Sequence, residues 1–162
     1  MLKLLALPLA AWLLCAACLG SLAFALTMQY GFDVKPCELC IYQRIPFAVA
    51  AGDALLAALV WRKAKFAKLL LLGCGVILLI NSGLALFHSG VERHWWEFHS
   101  ACTGAGLNVA QSIEEMRQQL LGTPITRCDE ISWSIFGLSM ANLNIVFSAV
   151  LAVFAFMAAR RK

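Results

Sequence analysis

Four long apolar stretches alternate with polar segments along this chain of 162 residues. Each stretch holds about 17 to 25 residues with few or no charges, which is the length of an α-helix that crosses the hydrocarbon core of a membrane. They predict transmembrane helices over residues 4–26, 45–61, 69–88 and 135–159. No internal repeat is evident. We therefore expect an all-α membrane protein that forms a single domain over residues 1–162, a bundle of four transmembrane helices.

The long segment between the third and fourth spans, residues 89–134, contains a second kind of periodicity. Between residues 107 and 120, apolar side chains recur at helical spacing with Gln and Glu between them: Val109, Ile113, Met116 and Leu120. This pattern predicts a short amphipathic helix that lies on the membrane surface. A helix packed on the outer ends of the spans would show the same pattern.

Composition and charge extend this interpretation. Hydrophobic residues make up 62% of the chain and charged residues 14%, whereas a soluble domain has about a quarter of its residues charged. Eight Lys and Arg residues, with no carboxylate, fall before the first span, in 62–68 and after the fourth span. Because cytoplasmic segments are enriched in Lys and Arg, we expect both termini in the cytoplasm and the loops 27–44 and 89–134 outside. The net charge of +4 then reflects topology, and nothing indicates nucleic acid.

The first span also has some features of a secretory signal peptide. Lys3 precedes it, and Ala23-Phe24-Ala25 resembles a cleavage site. The apolar run of about 22 residues is longer than the hydrophobic region of about 7–15 residues in a signal peptide, which favours an uncleaved anchor.

Two cysteines stand where the first outer loop meets the second span. Cys37 and Cys40 are separated by two residues, and Arg44 follows four residues later. In a helix all three share one face, and a cation beside a thiol stabilises the reactive thiolate. Pro36 suits the first turn of a helix that begins near Cys37, and Pro46 should perturb the start of the second span. We therefore expect a redox-active dithiol at the membrane boundary.

Seven cysteines are present, and the predicted topology divides them into two groups. Three lie within spans, where packing is the simplest role: Cys15, Cys18 and Cys74. Four lie on the outer side, where disulfides form: Cys37, Cys40, Cys102 and Cys128. Proximity favours Cys37–Cys40 and Cys102–Cys128, although four cysteines allow three pairings. The second pair suits a structural or a catalytic role. A zinc site is less favoured because Cys102 and Cys128 lack knuckle spacing.

Two polar residues near the spans carry further functional hypotheses. Asp53 lies near the centre of the second span, where a carboxylate suits either a proton relay or a bond between helices. His88 ends the third span and could donate a proton at a site in the mouth of the bundle.

Together these features resemble the DsbB family of bacterial inner-membrane disulfide-forming proteins, over essentially the whole chain. The resemblance rests on the four spans, the two cysteines of the second outer loop, and four short motifs. The motifs are Pro-Cys-Glu-Leu-Cys-Ile-Tyr-Gln-Arg at 36–44, His-Ser-Gly-Val-Glu at 88–92, Cys-Asp-Glu at 128–130 and Gly-Leu-Ser-Met at 137–140.

The resemblance implies a path for electrons through four cysteines. A reduced periplasmic thioredoxin-like oxidase, DsbA, would attack a Cys102–Cys128 disulfide and form a mixed disulfide with Cys102. Cys128 would then attack Cys37, and Cys40 would leave as a thiolate beside Arg44. The electrons would pass to ubiquinone or menaquinone from the membrane pool.

The resemblance therefore implies a membrane thiol:quinone oxidoreductase in the bacterial inner membrane. We expect Cys40, Arg44 and His88 to contact the quinone. Gln43 stands where some family members carry a carboxylate, so Arg44 would lack that ion pair. Two other classes remain open at this point: a four-span scaffold whose periplasmic disulfides brace its loops, and a periplasm-facing protein that handles metals through Cys, Met and His. An inert Cys37–Cys40 disulfide would favour the scaffold.

Overall fold

A computed structural model describes residues 2–96, 98, 128–129, 133–135 and 137–160. Five α-helices and a two-stranded hairpin follow one another in these ranges: α1 (Leu2–Gly31), α2 (Glu38–Tyr42), α3 (Arg44–Leu59), α4 (Ala64–Glu92), β1 (Ser134–Ile135), β2 (Leu138–Ser139) and α5 (Met140–Arg160). Four segments of the described chain are helical, long and apolar enough to cross a membrane: Leu7–Gly31, Glu38–Leu59, Ala64–Glu92 and Met140–Arg160. The predicted all-α fold with four spans is confirmed. The predicted surface helix at 107–120 lies outside the described residues and stays a prediction.

The ends of the helices differ from the apolar stretches. Helix α1 continues to Gly31, and α4 runs from Ala64 to Glu92, several residues beyond each predicted boundary. Hydropathy marks where the chain leaves the hydrocarbon core, whereas backbone hydrogen bonds continue a helix into the polar region.

The fourth span begins later than its apolar stretch. The prediction placed the start at residue 135, but Ser134–Ile135 and Leu138–Ser139 form an antiparallel hairpin in which Ser134 pairs with Ser139 and Ile135 with Leu138. Gly137, with φ of +78°, occupies the turn in a left-handed conformation that suits glycine. Helix α5 therefore starts only at Met140.

Helices α2 and α3 divide the second span at Gln43. Cys37 caps α2: its backbone is extended, and its sulfur accepts a hydrogen bond from the backbone N–H of Cys40 at 3.3 Å. Pro36 thus precedes the cap. The sequence had predicted it in the first turn of the helix, and that placement is wrong. Pro46 lacks the N–H that would bond to the carbonyl of Tyr42, and this explains why the helix is interrupted just before it. The side chain of Gln43, at this junction, is buried.

Small side chains fill much of the interior of the bundle, and many of the large apolar ones face outward. The fully buried positions include alanines from four helices: Ala11, Ala50, Ala54, Ala67, Ala85 and Ala155. Large apolar side chains are exposed on the outer surface, among them Leu13, Leu59, Leu69, Ile80 and Val146. Small residues allow close helix contact in lipid, where large apolar groups gain nothing by turning inward. This distribution suits a bundle surrounded by lipid.

Candidate functional site

Three sulfur atoms meet where α2 begins. The Sγ atoms of Cys37 and Cys40 lie 3.0 Å apart, with the Cys37 thiol donating. Cys128, from the segment between the third and fourth spans, is buried and hydrogen-bonds to Cys37. Cys37, Cys128, Leu39 and Val91 form one buried cluster. Because Cys37 lies between the first and second spans and Cys128 between the third and fourth, only the fold brings them together.

Of the four predicted site cysteines, the structure therefore unites three. Cys102 lies outside the described residues, so its predicted pairing with Cys128 stays a prediction.

Burial and the neighbouring sulfurs keep Cys37 and Cys128 protonated. The hydrogen bond with Cys128 lowers the pKa of Cys37, but the bond to Cys40 and burial together raise that pKa to about 12. The pKa of Cys128 is raised by its hydrogen bond to Cys37 and by burial, and the backbone N–H groups of Leu39 and Glu38 oppose this only in part. At neutral pH both thiols therefore hold their protons when all three cysteines are reduced.

His88 connects the sulfur cluster to the interior of the bundle. The side chain is buried, with Nε2 at 3.5 Å from the Cys37 sulfur and at 3.8 Å from Oε1 of Glu92. Its other ring nitrogen, Nδ1, lies 3.0 Å from Nε2 of Gln43. The predicted site residue His88 thus touches the dithiol directly. Gln43 was not predicted as a site residue, although an amide next to Arg44 at the start of an apolar span was a signal for one.

Arg44 is held by the first helix. Its Nη1 donates a hydrogen bond of 2.6 Å to Oε1 of Gln29 on α1, and the side chain is half-buried. The side chain of Gln43 contacts His88 instead. Gln43 and Arg44, although adjacent in sequence, therefore serve different parts of the site. The guanidinium is therefore a fixed positive charge beside α1.

A cavity of about 920 Å³ opens between α1 and α5 and reaches the dithiol. Its walls are mostly apolar and include Leu22, Phe24, Met28, Phe47, Phe147 and Val150. Its polar lining comprises Ser21, Lys35, Cys37, Cys40, Gln43, Arg44, His88, Glu92 and Asn144. An apolar cavity with a few convergent polar groups is typical of a site for a small organic molecule.

The hairpin is fastened to the end of α4 beside this cavity. Ser139 donates a hydrogen bond of 2.5 Å to Oε2 of Glu92, and Ser89 donates one of 2.8 Å to Oδ1 of Asn142. The motifs 88–92 and 137–140, which are far apart in sequence, therefore lie together next to the sulfur cluster.

Other polar groups in the spans lie elsewhere. Asp53 is half-buried and faces Gly73 of α4. It lies nine residues beyond Arg44 on α3, about 13 Å along the helix axis, and it is absent from the described lining of the cavity. Cys15, Cys18 and Cys74 are buried in the main core, as their predicted packing role requires.

The sulfur cluster also has the donors of a metal site. Ligand atoms of Cys37, Cys40 and His88 all lie within 4.8 Å of one another. The zinc alternative considered from sequence relied on four cysteines, whereas this grouping includes a histidine. The same sulfurs are also close enough for disulfide exchange, which needs one sulfur to reach another.

Comparisons with known proteins agree with this geometry. The family model described as disulfide bond formation protein DsbB matches residues 8–158. A disulfide bond formation protein B of Xanthomonas oryzae pv. oryzae is 34% identical over 153 residues, covering 88% of this chain and 84% of that protein. Another, from Aromatoleum aromaticum, is 32% identical over 154 residues, covering 91% and 89%. An uncharacterized Rickettsia prowazekii protein is 29% identical over 136 residues, covering 83% and 77%. No solved structure matches significantly.

These matches extend over nearly all of the chain, including the four spans and the dithiol. The family is one of disulfide bond formation, and three adjacent sulfurs suit that chemistry. This chain belongs to the DsbB family.

Proposed function

We propose that this protein is a membrane thiol:quinone oxidoreductase that reoxidises a periplasmic thioredoxin-like oxidase of the DsbA kind. The observation that carries the proposal is the meeting of Cys37, Cys40 and Cys128 at the polar end of an apolar cavity. A scaffold whose disulfides only brace its loops does not require such a cavity beside its sulfurs.

Disulfide exchange would pass between the two outer loops. The reduced partner would attack the Cys102–Cys128 disulfide and bond to Cys102, which releases Cys128 with the electron pair. Cys128 would then bond to Cys37 and expel Cys40 as a thiolate. The partner's second thiol would attack its own mixed disulfide, and the partner would leave oxidised. The contact between Cys128 and Cys37 supports the second exchange.

The cavity fits a quinone. Its apolar walls suit a ring with an isoprenoid tail, and its polar end offers hydrogen-bond donors and a permanent cation. Cys40, Arg44 and His88 would hold the head group there, and Gln29 would keep the guanidinium in place. When bound, ubiquinone or menaquinone would supply an acceptor for two electrons and two protons.

We further propose that the protein lies in the bacterial inner membrane with both termini in the cytoplasm. The eight cations without a carboxylate on one side support this orientation. The dithiol would then face the periplasm, where we expect its partner. A membrane-impermeant thiol reagent applied to intact spheroplasts should label reduced Cys37 or Cys40. Labelling only after the membrane is opened would contradict the orientation.

A coupled assay tests the proposed activity. Purified protein, a reduced thioredoxin-like partner and a soluble quinone should show partner oxidation in step with loss of quinone absorbance. Cys40→Ser should abolish turnover, and Arg44→Ala should raise the apparent KM for quinone. Cys74→Ser and Arg62→Ala, which change a thiol and a cation away from the cavity, are matched controls that should turn over like the wild type. Wild-type rates for both Cys40→Ser and Arg44→Ala would refute the quinone site.

A trapping experiment tests the roles of the two loops. In Cys128→Ser the free thiol of Cys102 should attack the disulfide of the oxidised partner and remain bonded to one of its sulfurs, because the Cys128 thiol that would displace the partner is missing. Mass spectrometry of the adduct identifies the attached cysteine. Attachment to Cys37 would reverse the assignment of the loops.

A further inference from the structure

A row of polar side chains, buried except for the half-buried Asn144, leads from the sulfur cluster into the middle of the bundle. This polar row joins Cys37, His88, Gln43, Asn144, Ser148 and Asn81, which come from the cap of α2, the α2–α3 junction, α4 and α5. Buried polar groups in an apolar bundle are stable only when they are hydrogen-bonded. Asn81 and Ser148 are fully buried, and His88 and Gln43 nearly so. The polar row is therefore an internal feature of the fold.

The hydrogen bonds give this polar row a direction. Asn144 Nδ2 donates to Gln43 Oε1 at 2.5 Å, so the Gln43 amide nitrogen faces Nδ1 of His88 at 3.0 Å. An amide N–H2 can only donate, and Nδ1 must therefore accept. A neutral His88 then carries its proton on Nε2, which faces the Cys37 sulfur.

Two observations favour this direction over its reverse. At the inner end, Oδ1 of Asn81 has no hydrogen-bond partner among the described residues. Reversing every amide would leave an N–H2 group there instead, and buried N–H groups without a partner are rarer than such carbonyl oxygens. At the outer end, Oε1 of Glu92 faces Nε2 of His88 at 3.8 Å. A carboxylate there favours a proton on Nε2.

We propose that Gln43 and Asn144 are positioning residues, which hold His88 with its proton on Nε2 so that it donates a hydrogen bond to the Cys37 sulfur. The proposal rests on the proposed function. After the partner leaves, Cys102 attacks Cys128 in the Cys37–Cys128 disulfide. The Cys102–Cys128 bond forms, the Cys37–Cys128 bond breaks, and Cys37 takes the electron pair. His88 keeps its proton and stabilises the departing thiolate.

The proposal explains why an amide at position 43 suits this protein. A carboxylate in its place would still accept from Asn144, but it would also accept from His88 and draw the proton to Nδ1. Nε2 would then present a lone pair to the Cys37 sulfur. A hydrogen bond to a charged group is strong enough that its loss should slow the release of Cys37 by roughly tenfold or more.

Nitrogen NMR of the histidine ring tests the proposal without relying on turnover. The protein has three histidines, and His88→Gln identifies the signals of His88. The wild type, labelled with ¹⁵N-histidine in detergent, should show a protonated Nε2 and an unprotonated Nδ1. Gln43→Glu, which has nearly the same shape, should move the proton to Nδ1. Asn144 does not touch His88, but Asn144→Leu removes the hydrogen bond that orients Gln43. Both tautomers of His88 should then be populated.

A matched variant separates positioning from packing. Ser82 also links α4 to α5, through a 3.0 Å hydrogen bond to the carbonyl of Ile145, but it does not belong to the polar row. Ser82→Ala should leave the His88 spectrum unchanged. In turnover, Gln43→Glu should lower kcat about tenfold.

Three results would overturn the proposal: a wild-type His88 protonated on Nδ1, an unchanged spectrum in Gln43→Glu, or an equal change in Ser82→Ala. Absence of quinone-coupled turnover in the wild type would instead refute the proposed function, and the NMR result would still stand.

Discussion

Removal of the Cys40 side chain should make Cys37 more reactive even though it abolishes turnover. In the reduced protein the Cys37 thiol donates to the Cys40 sulfur, and this bond stabilises the protonated form of Cys37. Cys40→Ala removes the acceptor but keeps the backbone N–H of residue 40, which stabilises the thiolate from 3.3 Å. The pKa of Cys37 should therefore fall.

The size of the effect follows from the pKa values. A fall from about 12 to the 9.0 of an ordinary thiol would increase the thiolate about 1,000-fold at neutral pH. A less basic thiolate is a weaker nucleophile, and this offsets about 16- to 30-fold of the gain. Alkylation of Cys37 should therefore accelerate by at most about 30- to 60-fold, and by less where burial keeps the pKa high.

Iodoacetamide labelling across a range of pH, followed by mass spectrometry of the Cys37 peptide, measures this change. The midpoint of the profile reports the pKa, and the plateau reports access of the reagent. The wild-type rate should rise about tenfold per pH unit to about pH 10 and beyond. The Cys40→Ala rate should level off earlier. A midpoint that stays the same or rises would refute the argument from the hydrogen bond.

Two further predictions concern packing and the guanidinium. A Cβ on Gly75 would lie 2.8 Å from the ring of Phe156, whereas one on Gly83 of the same helix would meet nothing within 4 Å. Gly75→Ala should therefore destabilise the protein by about 1–3 kcal/mol and lower its Tm in detergent, and an equal Tm for Gly83→Ala would contradict this. Gln29→Leu removes the acceptor that holds Arg44 and should raise the KM for quinone about fivefold, or about 1 kcal/mol. An unchanged KM would show that Arg44 needs no such support.

The sequence by itself determined the four spans, the position of the dithiol and the start of a helix near Cys37. These depend on local properties: the length of an apolar run, the spacing of two cysteines and the proline that precedes them. The cost of placing each residue in hydrocarbon is set mainly by that residue, so composition along the chain is enough to locate the spans.

Only the tertiary structure decided which polar groups meet. Gln43 lies 45 residues from His88 and 101 from Asn144, and its partners depend on which helices are neighbours. The same is true of Cys128 beside Cys37 and of Gln29 beside Arg44. Helix α5 starts later than hydropathy predicts because a hairpin precedes it, and hydropathy does not predict that hairpin. Contacts between distant residues are selected by the packing of whole helices, and no single stretch of sequence contains that information.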